Sequence, residues 1–257
     1  MQQVSHHGRT TTFEEFDRGG SGETVLFVHG SGGSRRLWKS QARLADEFTV
    51  VALDLSGHGG ASDTDASAGF ETLSAYADDV LAVVEAVEPS VLVGNSLGGA
   101  VALHILLERD AEFDGVVLAG TGAKLAVLDD LRDWLADDFE RAIEFLHGTD
   151  RLFHSPDERL HELSKESMRA CGRAVTERDF LTCHEFDVRG ELGELDVPTL
   201  CVVGEYDQLT PPHYHDYLAE AMDGRVAVVE GAAHLTMLEQ PDAFNSALAR
   251  FVARVQQ

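Results

Sequence analysis

Six short apolar runs constrain this chain of 257 residues more than any other feature. They are TVLFVH (24–29), FTVVALD (48–54), VLVGN (91–95), GVVLAG (115–120), TLCVVG (199–204) and VAVVEG (226–231). Most are rich in β-branched residues, and they run apolar rather than alternating. A strand with one wet face would alternate polar and apolar, so these read as strands covered on both faces, as in a parallel sheet. Helical patterns at 35–45, 72–88 and 96–109 separate them. In ETLSAYADDVLAVVEAVE, Leu73, Tyr76, Val80, Val83, Val84 and Val87 recur at spacings of three and four and share one helix face. Parallel neighbours need crossover connections, and intervening helices supply them. The fold class expected is α/β, a doubly wound, mostly parallel sheet. TTTFEEF near the start is expected to add an antiparallel edge strand.

The alternation stops after Gly120. Residues 121–190 hold no convincing strand and several helical patterns. In DDLRDWLADDFERAIEFLHG, Leu131, Trp134, Leu135, Phe139, Ala142, Ile143 and Leu146 share a face; DERLHELSKESMRACG and TERDFLTCHEF read as two further helices, the latter N-capped by Thr176. The expected organisation is a core of 1–120 and 191–257, with 121–190 inserted as a small helical cap over one edge of the sheet. Aromatic residues of the insertion glue it to the sheet. A few should line a pocket, with Trp134, Phe139 and Phe180 the candidates.

One joint between strand and helix is unusual. GNSLG (94–98) fits G-x-S-x-G, with an apolar run before it and a helical pattern after it. So sharp a turn holds its central residue in a strained conformation and leaves no room for neighbouring side chains. Ser96 is thereby lifted above the sheet at a helix N-terminus, where free N–H groups favour negative charge. A serine hydroxyl needs a base to become a nucleophile, and the base needs an orienting acid. CVVGEYDQLTPP ends one strand with Asp207, and VVEGAAHLTMLEQP ends the next with His234, both at the carboxyl edge where α/β sheets place their sites. Glu205 competes as the acid, but Asp207 lies further into its loop. The candidate oxyanion donors are the N–H groups of Leu97, just after the serine, and of Ser31 in HGSGGSRRLW (29–38). Leu235, beside the histidine, joins the candidate pocket residues. His213 and His215 complete no ligand pattern and read as two surface histidines, so no metal is expected, and a serine–histidine–acid mechanism requires no organic cofactor.

Charge narrows the partners. There are 45 acidic residues against 20 basic, a formal net charge of −25, and only Lys39, Lys124 and Lys165 among the basic residues are lysines. A polyanion would be repelled, which argues against nucleic acid and against an anionic membrane. An acidic, lysine-poor surface spread along the chain fits life in high salt, where screening relieves self-repulsion. No apolar run is long enough to span a bilayer, and MQQVSHHGRTTTFEEFDRGG has no apolar signal core, so a soluble cytoplasmic protein is expected. Cys171, Cys183 and Cys201 are an odd set without metal spacing and read as buried thiols in a reducing compartment.

Taken together, FVHGSGG (27–33), ALDLSGHGGAS (52–62), GNSLGG (94–99), VPTLCVVGEYDQLTPP (197–212) and GAAHLTMLEQPDAFNSALARFV (231–252) resemble the α/β-hydrolase superfamily. The resemblance implies a Ser96–Asp207–His234 triad, backbone donors at Ser31 and Leu97, structural roles for His29 and His58, and a helical cap. A serine at 96 separates the chain from haloalkane dehalogenases, and HGSGG differs from the HGGPG-like loop of proline iminopeptidases. Carbon–carbon hydrolases share the GNS but usually carry an aromatic residue soon after the histidine, where this chain has Leu235, Thr236 and Met237. The expected activity is hydrolysis of a small-molecule carboxylic ester through an acyl-enzyme. The alternatives are carbon–carbon bond or enol-lactone hydrolysis by the same triad, or a receptor that binds without turnover.

Overall fold

A computed structural model describes residues 1–256. The chain opens with a hairpin of β1 (Gln2–His6) and β2 (Arg9–Phe16), followed by β3 (Thr24–Val28) and β4 (Thr49–Asp54). Helix α1 (Phe70–Val87), β5 (Val91–Asn95), α2 (Leu97–Glu108) and β6 (Gly115–Ala119) come next. The sheet then gives way to α3 (Asp129–Asp137), α4 (Phe139–Leu146), α5 (Glu158–Cys171) and α6 (Arg173–Glu185). It resumes with β7 (Thr199–Gly204), α7 (Pro212–Ala221) and β8 (Arg225–Val229), and the chain closes with α8 (Thr236–Glu239) and α9 (Pro241–Val255).

The eight strands form one sheet in the order β1-β2-β4-β3-β5-β6-β7-β8. All pairs from β4 to β8 are parallel, and β1 and β2 pair antiparallel at one end. Successive residues in a strand face opposite sides. Thus Leu26, Val28, Leu92, Val116 and Leu118 pack in one apolar layer with α1 and α2, while Val25, Phe27, Val91, Val93 and Val117 pack in the other with Trp38 and α9. Each fully buried Val or Leu contributes about 1.5–3 kcal/mol, so the central strands anchor everything mounted on their ends.

Several expectations need correcting. TTTFEEF is antiparallel, but the edge belongs to β1, whose QQVSH carries no apolar signal and is ordered by pairing with β2. VAVVEG is not covered on both faces, for β8 is the other edge and its Val228 is 53% exposed. Residues 35–45 form two short 3₁₀ helices, Arg35–Trp38 and Gln41–Asp46. The long helix expected from residue 129 breaks at Asp138, whose carboxylate accepts the Arg141 N–H (3.2 Å) and caps α4. Thr176 is not an N-cap. The N-cap of α6 is Gly172, and the Thr176 hydroxyl, inside the first turn, donates back to the Gly172 carbonyl (2.9 Å). At the neck of the insertion, Leu125 N–H donates to Phe186 O (3.4 Å) and Val188 N–H to Ala123 O (2.9 Å).

Candidate active site

Ser96 sits between β5 and α2 at φ 54°, ψ −117°, a region that disfavours any residue with a Cβ. Local bonds hold it there. Its N–H donates to Ala119 O (2.9 Å), and its carbonyl accepts the Thr121 hydroxyl (2.8 Å). A Cβ on Gly94 would collide with the Gly98 carbonyl, and one on Gly98 with the Val28 carbonyl, so both positions exclude side chains. Leu97, the first residue of α2, is fully buried, and its N–H lies at the open end of the helix ladder.

His234 and Asp207 occupy the loops after β8 and β7. His234 Nδ1 lies 2.9 Å from Asp207 Oδ2 and donates to it, with both side chains almost entirely buried. Asp207 also accepts the N–H groups of Leu209 (2.8 Å) and Thr210 (2.9 Å) and the Thr210 hydroxyl (2.8 Å). Burial pushes its carboxyl up, but the pairing with His234 and the Thr210 donors outweigh it and hold Asp207 below its ordinary range. Glu205 points elsewhere and accepts the Gly231 N–H (3.2 Å).

Loop 30–33 follows β3. His29, fully buried, donates from Nδ1 to Gly30 O (2.8 Å) and accepts the Leu55 N–H at Nε2 (3.1 Å). Burial, then the neighbouring His58, lowers its pKa to about 4, so it is neutral. The Gly30 carbonyl also accepts the Gly33 N–H (3.1 Å). A Cβ built on Gly30 would lie 2.9 Å from Ser96 Cβ, so this loop borders the serine directly.

Ser31, Ser96 and His234 line one cavity of about 1260 Å³. Its apolar wall comes largely from the insertion and includes Leu125, Leu131, Phe145, Leu160, Met168 and Phe180. Leu235 is also in the wall; Trp134 and Phe139 are not. Trp134 packs on Phe145 (ring centroids 5.2 Å apart) with the Arg141 guanidinium 4.3 Å above its ring, and Phe139 packs into the apolar layer behind.

The sequence of the chain matches the model of the alpha/beta hydrolase family over residues 25–247. The chain belongs to that family. It is 31% identical over 248 residues to a pimeloyl-[acyl-carrier protein] methyl ester esterase of Neisseria meningitidis, covering 90% of this chain and 94% of that protein. It is 25% identical to 3-oxoadipate enol-lactonase 1 of Acinetobacter baylyi over 90% of this chain and 89% of the relative. Among solved structures, a thermophilic esterase superposes with a TM-score of 0.86 at 29% identity, covering 99% of this chain and 97% of the other.

In this hydrolase the helical segment between β6 and β7 is bonded to the loops after β3, β7 and β8. His234 N–H donates to Arg151 O (3.1 Å), Leu235 N–H to Leu152 O (3.0 Å) and Gln208 N–H to Asp150 O (2.9 Å). Asp179 of α6 accepts the Gly32 N–H (3.2 Å). None of these contacts has a signal in the sequence beyond membership of the insertion. His215 is not the surface histidine expected from its sequence setting. It is fully buried, its Nε2 accepts the Thr121 N–H (3.1 Å), and burial, opposed by Asp207, lowers its pKa to about 4. It therefore steadies the threonine that holds the Ser96 carbonyl. Glu239 accepts Ala233 N–H (2.8 Å) and His154 N–H (2.9 Å), tying the chain just before His234 to the insertion. Of the three free thiols, Cys183 and Cys201 are buried and Cys171 only half-buried. Among the described residues no helix is long and apolar enough to cross a membrane.

Proposed function

We propose that this hydrolase cleaves a carboxylic ester of a small molecule, with Ser96 as nucleophile, His234 as general base and Asp207 as its orienting acid. The observation that carries the reading is a single cavity shared by a strained serine at a helix N-terminus and a histidine already bonded at Nδ1 to a buried carboxylate. With Nδ1–H committed to Asp207, Nε2 is the free lone pair that takes the Ser96 proton. Attack on the ester carbonyl forms the Ser96–carbon bond and moves the carbonyl electron pair onto oxygen. The N–H groups of Ser31 and Leu97 are the proposed donors to that oxyanion, each worth roughly 3 kcal/mol. The imidazolium protonates the leaving alcohol as the carbon–oxygen bond breaks, and water then attacks the acyl-enzyme by the same route. Residues 121–190 act as a cap whose apolar wall receives the acyl chain. The Acinetobacter relative's name favours one second reading, hydrolysis of a lactone, which is an internal ester and needs the same groups.

The test is hydrolysis of p-nitrophenyl esters from acetate to dodecanoate in multimolar KCl, beside simple lactones and a Ser96→Ala variant. The expectation is ester turnover lost in the variant, with a chain-length optimum set by the cavity. Lactone turnover without ester turnover would select the second reading. Equal turnover by wild type and variant would overturn both. High KCl belongs in the assay because a net charge of −25 is expected to make stability rise with salt.

A further inference from the structure

Loop 30–33 is held from two sides, and only one side belongs to the sheet. In a trans peptide the C=O and the following N–H point in opposite directions. His29 and the Gly33 N–H draw the Gly30 carbonyl one way, so the Ser31 N–H in the same peptide plane faces the other. The next plane, Ser31–Gly32, is held separately. Its N–H, on Gly32 at φ 65°, donates to Asp179 Oδ2 (3.2 Å). The orientation of Ser31 between these two planes thus depends on a carboxylate that arrives from α6 of the insertion.

That carboxylate is itself rigidly placed. Asp179 is fully buried, and its Oδ2 also accepts His58 Nε2–H (2.9 Å), while Oδ1 accepts the Tyr76 hydroxyl (2.6 Å). His58 donates its other ring proton, on Nδ1, to Ser56 O (3.1 Å). Both ring nitrogens donate, so the pair is an imidazolium and a carboxylate sealed from water, with the His58 ring tilted against that of His29 at 4.7 Å between centroids. Around the same loop, Met168 Cγ would lie 3.1 Å and Thr176 Oγ1 3.6 Å from a Cβ on Gly32, and Cys183 Sγ lies 3.9 Å from Ser31 Oγ. Helices α5 and α6 therefore close over the loop with Asp179 at the centre of the contact.

We propose that Asp179 is a positioning residue for oxyanion stabilisation, through which the seating of the insertion completes the hydrolytic site. It touches no reacting atom. It acts through the Gly32 N–H on the neighbouring Ser31 donor, and it rests on the triad reading given above. Small misplacements of a donor cost rate in the transition state rather than affinity in the ground state.

The test compares wild type, Asp179→Ala, Asp179→Asn and Asp79→Ala on a p-nitrophenyl ester, with Ser96→Ala as blank. Asp79 is an equally buried carboxylate, but its partners are Ser56, Thr11, Arg9 and His6 and not loop 30–33. The Asp179 variants are expected to lose about 10–100-fold in kcat with KM within about threefold. Their affinity for a trifluoromethyl ketone, whose adduct carries the oxyanion, should fall in parallel. Asp79→Ala should lose melting temperature while keeping kcat within about threefold. Should Asp179→Ala not fold, the isosteric Asp179→Asn carries the comparison. Folded Asp179 variants with wild-type kcat and ketone affinity would overturn the proposal. So would a kcat loss in Asp79→Ala as large as theirs, which would mark a purely structural effect. Turnover that survives Ser96→Ala would instead sink the triad reading, and the assignment of Asp179 with it.

Discussion

The buried histidine–carboxylate pairs His58–Asp179 and His234–Asp207, both at 2.9 Å, are suited to opposite tasks. In the His58–Asp179 pair both ring nitrogens are spent as donors, one on Ser56 O and one on the carboxylate. Burial lowers the His58 pKa, but Asp179 outweighs it and raises the pKa well above the ordinary value. Such a histidine stays charged, keeps no lone pair and can only hold things in place. In the His234–Asp207 pair one nitrogen is committed and the residue lines the cavity that holds Ser96. The difference teaches that a buried histidine–carboxylate pair is not in itself catalytic. What sets the cavity pair apart, and what the proposed catalysis needs, is a second nitrogen free of bonding partners beside the cavity that Ser96 lines.

Removing the acid of the cavity pair should have the larger consequence. Asp207→Asn permits the wrong histidine tautomer and is expected to lower kcat by about 10⁴-fold at neutral pH, measured on the best p-nitrophenyl ester. A loss under tenfold would mean that Asp207 does not orient the base. For the sealed pair the main cost is stability. His58→Gln leaves Asp179 buried without its counter-charge and is expected to destabilise by about 3–5 kcal/mol in urea titrations, while the folded fraction keeps far more activity than Asp207→Asn. If His58→Gln instead matches the 10⁴-fold loss, the contrast between the pairs fails.

pH separates the paired from the unpaired histidines. His215, with no carboxylate on its ring, is held neutral by burial with a pKa lowered to about 4. Between about pH 6.5 and 4 the unfolded chain takes up a proton that the folded chain refuses. Stability should therefore fall as pH drops through that window, by up to about 3 kcal/mol for this group. His58 has the opposite sign. Its raised folded pKa contributes stability that is complete below pH 6.5 and is lost only as pH rises through that higher folded value. Urea midpoints from pH 7 down to 4.5 check the acid arm, and His215→Gln should flatten part of it. A wild-type profile that is level over that range would contradict the assignment.

The smallest expected effect concerns the cavity wall. Phe180→Ala should shift the ester chain-length optimum and raise KM a few-fold, since burying an aromatic ring against substrate is worth only a few kcal/mol at most. Trp134→Ala should leave the optimum where it is, because that ring faces Phe145 and Arg141 rather than the cavity.

These contrasts mirror what could be read from the residues alone. The parallel core strands were legible to within a residue or so, because β-branched apolar runs on a doubly covered sheet have few other solutions. Ser96, Asp207 and His234 could be nominated because strand ends fix where their loops begin; the structure brings Asp207 to His234 and both Ser96 and His234 to one cavity. The insertion was legible as helices but not as a wall. Helical spacing tells which face is apolar, and cannot distinguish a face turned to a neighbouring helix, as at Trp134, from one turned to a cavity, as at Phe180. Asp179 and His215 were invisible for a related reason. A charged or polar residue on a helix usually faces water. Only the folded chain brings Asp179 against His58, Tyr76 and Gly32, over 100 positions away in sequence, or His215 against Thr121.

The most direct test of the central claim is the intact mass of the protein after treatment with a fluorophosphonate, followed by peptide mapping. The account predicts one adduct per chain, on the peptide that contains Ser96, absent in Ser96→Ala and slow to form in Asp207→Asn. An adduct on another residue, or ester turnover in a protein whose Ser96 stays unmodified and whose Ser96→Ala variant remains active, would contradict it.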